Sequence, residues 1–230
     1  MQGNAAAPGI LNAEVLKNEM AYSQAFSSAR PFRHVVIDNF LSEEFCTAVC
    51  DQFPVFDEKR ALNEDGYIGG KATQEKVRAL GPAFRQLDEI VQQQSFLSLV
   101  ERITGVSGLC YDRFYYGGGT HENRQGQSLD PHVDFNIHPI TRQHRRLNLV
   151  IYLNEEWDDS WGGSLQLHQD PYLEPDQDRI VTVTPLLNRC VIFETNEHSW
   201  HGFEAINLPA ERQNLSRKSF ALYFYTDERP

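Results

Sequence analysis

The chain has 230 residues, 40% of them hydrophobic, and 21 basic against 32 acidic side chains give a formal net charge of -11. That length and apolar content suit one domain with a real core, and the acidic balance without a long basic run excludes nucleic acid and anionic membrane as partners of the surface at large. The longest apolar runs, such as LVIYL, are far shorter than a bilayer span.

The first ten residues lack the basic-then-apolar pattern of a signal peptide. Cys46, Cys50, Cys110 and Cys190 have no CxxC zinc spacing, so free thiols in a reducing, cytoplasmic setting are the expectation.

In chain order, residues 11–28 read as a helix with Leu11, Val15, Leu16, Met20 and Phe26 on its apolar side. HVVIDNF at 34–40 reads as a short strand. Ser42 caps a second helix, with Glu43 and Glu44 in its first turn, Phe45, Val49 and Phe53 on one stripe, and Pro54 as its stop. Residues 56–81 are polar, carry Gly66, Gly69 and Gly70, and show no period. A further helical region starts near Pro82, with Phe84, Leu87, Ile90 and Val91 on one side, and continues through SFLSLVERI.

From 109 onward short β runs alternate with turn residues: 109–116, 130–136, 146–154, 163–168, 179–184, 189–194, 199–206 and 217–226. Such a series predicts a mainly β chain with a jelly-roll core, its N-terminal helices packed on one sheet. The expected organisation is a single domain over 1–230, with a helical extension over about 1–30 and the core at 109–226.

The chemistry-bearing residues lie in that β half. In LDPHVDFN, His132 and Asp134 stand at i and i+2, on one face of a strand. Two further histidines, His198 and His201, follow in ETNEHSWHGF. Two imidazoles and a carboxylate make a facial triad, which leaves positions open on Fe(II). In RLNLVIYLN, Asn148, Val150, Tyr152 and Asn154 share a mixed face suited to a polar cavity. In RKSFALYFYT, Arg217 and Ser219 share a face, and Arg217 can hold a carboxylate in its fork. The other histidines (His34, His121, His138, His144, His168) have no ligand spacing and read as surface or structural residues, and Gly117–Gly119 lacks the context of a phosphate loop.

With FYYGGG, HVD, IYLNEEWDDSWGGSLQL, WHGF and the Arg-x-Ser strand on one chain, residues about 30–230 resemble the Fe(II)/2-oxoglutarate-dependent dioxygenases, in their prolyl-hydroxylase-like branch. The resemblance implies a double-stranded β-helix (jelly-roll, cupin-like) core, Fe(II), 2-oxoglutarate as cosubstrate, O2 and ascorbate-supported turnover. It implies His132, Asp134 and His201 as iron ligands, SWHGF being the better context for the distal histidine. It further implies Arg217 as the anchor of the distal 2-oxoglutarate carboxylate, helped by Ser219, Tyr152 and Tyr115. Lys218 is the alternative anchor, because some prolyl hydroxylases use lysine.

The reaction implied is hydroxylation of an unactivated C–H on a prolyl or other residue of a peptide or protein. The alternatives are a small metabolite or glycan-linked substrate, or a cupin-like metal hydrolase or isomerase without 2-oxoglutarate, which the Arg217/Ser219 pair argues against. Segments 56–81 and 117–129 are expected to close over the substrate. The chain's acidity favours a neutral or basic substrate unless Arg142, Arg145 or Arg146 lies at the entrance.

Overall fold

The structure, a computed structural model, describes residues 9–61, 71–174 and 176–229. Two short helices, α1 (Ala13–Lys17) and α2 (Glu19–Ser28), replace the single helix expected over 11–28. Asn18 divides them, its side-chain amide donating to the Glu14 carbonyl at 2.8 Å. Then come β1 (His34–Ile37), α3 (Glu43–Asp51), β2 (Lys71–Gln74), α4 (Pro82–Val91), α5 (Gln94–Thr104) and β3 (Cys110–Tyr111). Ser42 caps α3 as its sequence requires, its hydroxyl accepting from the Phe45 amide. The remaining strands are β4 (Gly119–Asn123), β5 (Leu129–His132), β6 (His144–Tyr152), β7 (Leu165–His168), β8 (Ile180–Val183), β9 (Cys190–Glu194), β10 (Trp200–Phe203) and β11 (Arg217–Thr226).

These strands build two antiparallel sheets. The larger runs β1-β9-β6-β11-β4-β2, with β3 also on β11, and the smaller runs β5-β10-β7-β8. The jelly-roll expectation is met, with helices on one sheet. Side-chain alternation divides the larger sheet into two surfaces. Leu147, Leu149 and Ile151 of β6 and Phe220, Leu222 and Phe224 of β11 enter the core shared with Phe84, Leu87, Phe96 and Val100 of the helices. Phe84 and Phe220 meet with ring centroids 5.8 Å apart. Phe220 is fully buried, so Phe220→Ala costs about 3–5 kcal/mol in lost packing. The opposite surface faces the smaller sheet and carries Asn148, Val150, Tyr152, Arg217, Ser219 and Tyr223.

Three expectations are corrected. The strand expected at 109–116 is only Cys110–Tyr111, because Asp112 accepts the Phe114 and Tyr116 amides at 2.9 and 2.8 Å and turns the chain. The segment 117–129 is not a free lid: it contains β4, buried throughout and paired on both sides, with β11 and β2. Gly119 permits that pairing, since its φ is +82° and a Cβ there would lie 2.2 Å from the Gln74 carbonyl oxygen. The other expected lid, 56–81, holds β2 and two short 3-10 turns among its described residues, while its glycines Gly66, Gly69 and Gly70 lie outside them.

Candidate active site

Between the two sheets lies a cavity of about 320 Å³. His132 ends β5 and stands directly opposite His201 of β10 in the ladder. Their ring centroids are 4.5 Å apart. The close approach depends on Gly202, where a Cβ would lie 2.4 Å from the Leu129 carbonyl oxygen. His132 Nδ1 lies 2.9 Å from the Asp130 carbonyl, and His201 Nδ1 lies 2.9 Å from that of Ser199. Each Nδ1 therefore donates to backbone, and each Nε2 presents its lone pair, the tautomer a metal ligand needs.

Asp134, two residues on, sits 3.9 Å from His132 Nε2 through Oδ1 and 3.5 Å from His201 Nε2 through Oδ2. One ligand atom from each of these three residues lies within 4.8 Å of the others, the one such metal-type cluster among the described residues. Desolvation lowers His201 to about 4 against the pull of Asp134, so the imidazole is neutral at physiological pH. Burial alone would raise Asp134, but Arg145, His201 and Asn148 together hold it below the usual carboxylate range. A deprotonated carboxylate beside two imidazoles whose Nε2 atoms approach it fits a divalent metal ion.

Behind Asp134 stands a support that the sequence did not reveal. The Arg145 guanidinium, only 1% exposed, donates from Nε and Nη2 to Asn148 Oδ1 at 2.9 and 2.7 Å. That fixes the Asn148 amide so that Nδ2 donates to Asp134 Oδ2 at 2.7 Å. Arg145 Nη2 also lies 3.0 Å from the same oxygen, and its guanidinium stacks 3.5 Å over the Tyr223 ring. Of the three arginines considered for an entrance, Arg145 stands behind this wall, on Asp134 and Asn148. Arg142 is exposed in a turn, and Arg146 is directed to Thr226.

The expected cosubstrate residues divide. Arg217 is buried, donates from Nε to the Gly163 carbonyl at 2.6 Å and from Nη2 to the Tyr152 hydroxyl at 3.2 Å, and lies 4.3 Å over the Phe203 ring. Ser219 and Tyr152 are directly opposite in the ladder and line the same cavity. Lys218 points to the other surface, its Nζ 5.5 Å from the Phe53 ring centroid, which corrects its placement as an alternative anchor. Tyr115 is also corrected. It lies on the helix side, its hydroxyl donating to Asp88 Oδ1 at 3.0 Å and its ring 5.8 Å from Phe220. The cause is the Asp112 turn, which leaves Tyr115 at φ 51° and breaks the period-two pattern. His198 is exposed in a turn, apart from the triad.

His121, expected as a surface or structural residue, and Lys71 of edge strand β2, which the sequence did not single out, also line the cavity. His121 is buried in the cavity wall opposite Ser219, and desolvation together with Lys71 and Arg217 holds it neutral. Their only signal is membership of β2 and β4, which the polar sequences KATQ and GTHEN conceal.

Residues 118–225, which contain every residue of the triad and of the Arg217 cluster, match the model of the 2OG-Fe(II) oxygenase superfamily. The chain is 25% identical over 208 residues to the Mus musculus prolyl 3-hydroxylase OGFOD1, covering 85% of this chain and 33% of that protein. It thus spans about a third of the length of this curated relative. Among solved structures, a Trichoplax adhaerens prolyl hydroxylase in complex with a hypoxia inducible factor peptide fragment is similar, with a TM-score of 0.58, 18% identity and 92% of each chain covered. A Pseudomonas putida prolyl-4-hydroxylase matches with a TM-score of 0.54 and 16% identity, over 89% of this chain and 98% of that one. With the triad and the Arg217 wall inside the matched segment, this part of the chain is similar to the 2OG-Fe(II) oxygenase superfamily, and the fold is that of solved prolyl hydroxylases.

Proposed function

We propose that this protein is an Fe(II)- and 2-oxoglutarate-dependent oxygenase that hydroxylates an unactivated C–H of a prolyl residue in a peptide or protein. The observation that carries the reading is one cavity with His132, Asp134 and His201 on one wall and the buried Arg217 fork on another. When bound, the metal ion with 2-oxoglutarate supplies the oxygen activation that the side chains cannot. His132, Asp134 and His201 hold it, and the Asn148–Arg145 pair keeps the carboxylate aimed. Arg217 takes the distal carboxylate of 2-oxoglutarate in a charge-assisted fork, with Tyr152 and Ser219 beside it. Val150, Leu165, Phe193 and Phe203 give the cavity an apolar side that excludes water from the reacting carbon.

The prolyl assignment draws support from the relatives' named activities. A cytoplasmic setting and ascorbate-supported turnover complete the proposal. Four free cysteines agree with a reducing compartment, and no helix among the described residues is long and apolar enough to cross a membrane. The test is peptide mass gain of one oxygen, coupled to succinate release, across a proline-containing peptide library. His201→Ala should abolish both while His198→Ala keeps most of each. Equal loss in the two variants, or succinate with no oxidised peptide, would refute the assignment.

A further inference from the structure

The charges around the cavity do not balance. Among the described residues, Lys71 and Arg217 line it against a single carboxylate, Asp134, and Arg145 stands behind that carboxylate as a third cation. Burial holds His121 neutral, and His132 and His201 are taken up as metal ligands. A divalent metal ion and doubly charged 2-oxoglutarate cancel, so the loaded cavity keeps two positive charges inside a protein of net charge -11. In a water-poor cleft such an excess attracts an anion strongly.

One of these cations is uncommitted. Arg145 is locked onto Asp134 and Asn148, and Arg217 onto Gly163 and Tyr152. Lys71 makes no ion pair and no side-chain hydrogen bond to any described residue; it is exposed to solvent and lines the cavity. Desolvation by the surrounding protein, aided by Arg217 and Arg145, pulls its ammonium down to about 8 against the opposing pull of Asp134. It therefore still carries its charge at neutral pH. Lys71 stands on β2, the edge strand of the larger sheet, and Leu129 lines the same cavity from β5, the edge strand of the smaller. On the ladder it is two strands from Arg217, with Asn123 between them, so the two Cα atoms are about 10 Å apart. A carboxylate of 2-oxoglutarate held by Arg217 leaves Lys71 for a different molecule.

We propose that Lys71 recognises an anionic group, a carboxylate, on the substrate itself, so that this oxygenase prefers acidic over neutral or basic substrates. This rests on the oxygenase reading above and reverses the preference that overall charge implied, because the local field of the cavity is opposite in sign to the whole.

The test loads the full chain with Mn(II) and saturating 2-oxoglutarate and follows paramagnetic broadening of small probes by NMR, which reports approach to the metal without turnover. The probes are N-acetylproline against N-acetylprolinamide, and N-acetylglutamate against N-acetylglutamine. In the wild type each acid should broaden at about tenfold lower concentration than its amide, one well-placed ion pair being worth about a decade. Lys71→Ala and Lys71→Met (which keeps the stem) should erase that difference, Lys71→Glu should invert it, and Lys76→Ala on the exposed turn outside should preserve it. Acid and amide equal in the wild type, a preference that survives loss of Lys71, or no probe reaching the metal would each overturn the inference. So would a Lys71→Ala defect confined to 2-oxoglutarate affinity, which would make Lys71 a cosubstrate residue. A Lys71-dependent preference in the glutamate pair alone, with neither proline probe approaching the metal, would keep the anionic site and remove the prolyl assignment.

Discussion

Replacing Arg217 by alanine removes a buried guanidinium that makes two hydrogen bonds and lies over the Phe203 ring, and leaves a cosubstrate carboxylate without a counter-charge. Truncating one partner of a buried, hydrogen-bonded charge pair costs about 2–5 kcal/mol. At about 1.4 kcal/mol per decade, 2-oxoglutarate affinity should fall about 30- to 4,000-fold. Arg217→Lys should recover only part of it, because a point charge cannot reproduce the planar fork. Lys218→Ala should shift the affinity by less than about twofold, since its ammonium lies on the helix side near Phe53. The assay is calorimetric titration of 2-oxoglutarate into Mn(II)-loaded protein, with thermal unfolding to confirm that each variant is folded, because the Gly163 carbonyl also loses its donor. Equal losses in the Arg217 and Lys218 variants, or a larger loss for Lys218→Ala, would refute the reasoning from strand alternation.

Other predictions follow from the same geometry. Asn148→Ala should weaken Co(II) binding about 10- to 100-fold by freeing the Asp134 carboxylate, read by titrating the visible Co(II) bands; an unchanged affinity would make Asn148 a packing residue only. Tyr115→Phe should lower the urea-unfolding free energy by about 1.5 kcal/mol, through the lost bond to Asp88, without changing 2-oxoglutarate affinity. Gly119→Ala should cost about 2 kcal/mol or more in the same measurement, since its backbone is at φ +82° and the new Cβ would meet the Gln74 carbonyl. His201 is pulled from 6.5 down to about 4, so the unfolded chain binds its proton first as the solution is acidified. The metal-free protein should therefore lose up to about 3 kcal/mol of stability between pH 6.5 and 4, and His201→Asn should flatten that segment of the profile.

Where burial imposed a pattern, the sequence was readable. β6, β9 and β11 alternate apolar and mixed residues because one face packs on helices, and their limits fall within a residue or two of those expected. The triad was readable from its residue types and spacing, although the strand expected over 130–136 ends at His132 and Asp134 lies two residues beyond it. β2 and β4 were not readable, because KATQ and GTHEN have no apolar face to alternate. Ladder bonds from β11 to β4 and from β4 to β2 hold them in place, and only the assembled sheet brings His121 and Lys71 to the cavity. Arg145 was unreadable for a different reason. A charged residue at the start of a strand ordinarily reaches solvent, whereas here Asp134, Asn148 and the Tyr223 ring enclose it. Tyr115 was misplaced because nothing in FYYGGG announces that Asp112 reverses the chain before it.

The alternation of β11 also fixes where this gene can gain or lose a codon. Residues 217, 219, 221 and 223 line the cavity and 220, 222 and 224 fill the helix-side core, so an insertion or deletion within the strand would exchange the two sets at once. Lys218 would then enter the cavity, and the Arg217 position would face Phe53. The connection over 209–216 has no ladder to keep, only a short turn at Ala210–Arg212, whereas 204–207 is bonded to Gly126, Gln127, Trp161 and Gly163. Length changes among homologues should therefore collect in that connection and be absent from the ten residues that follow it.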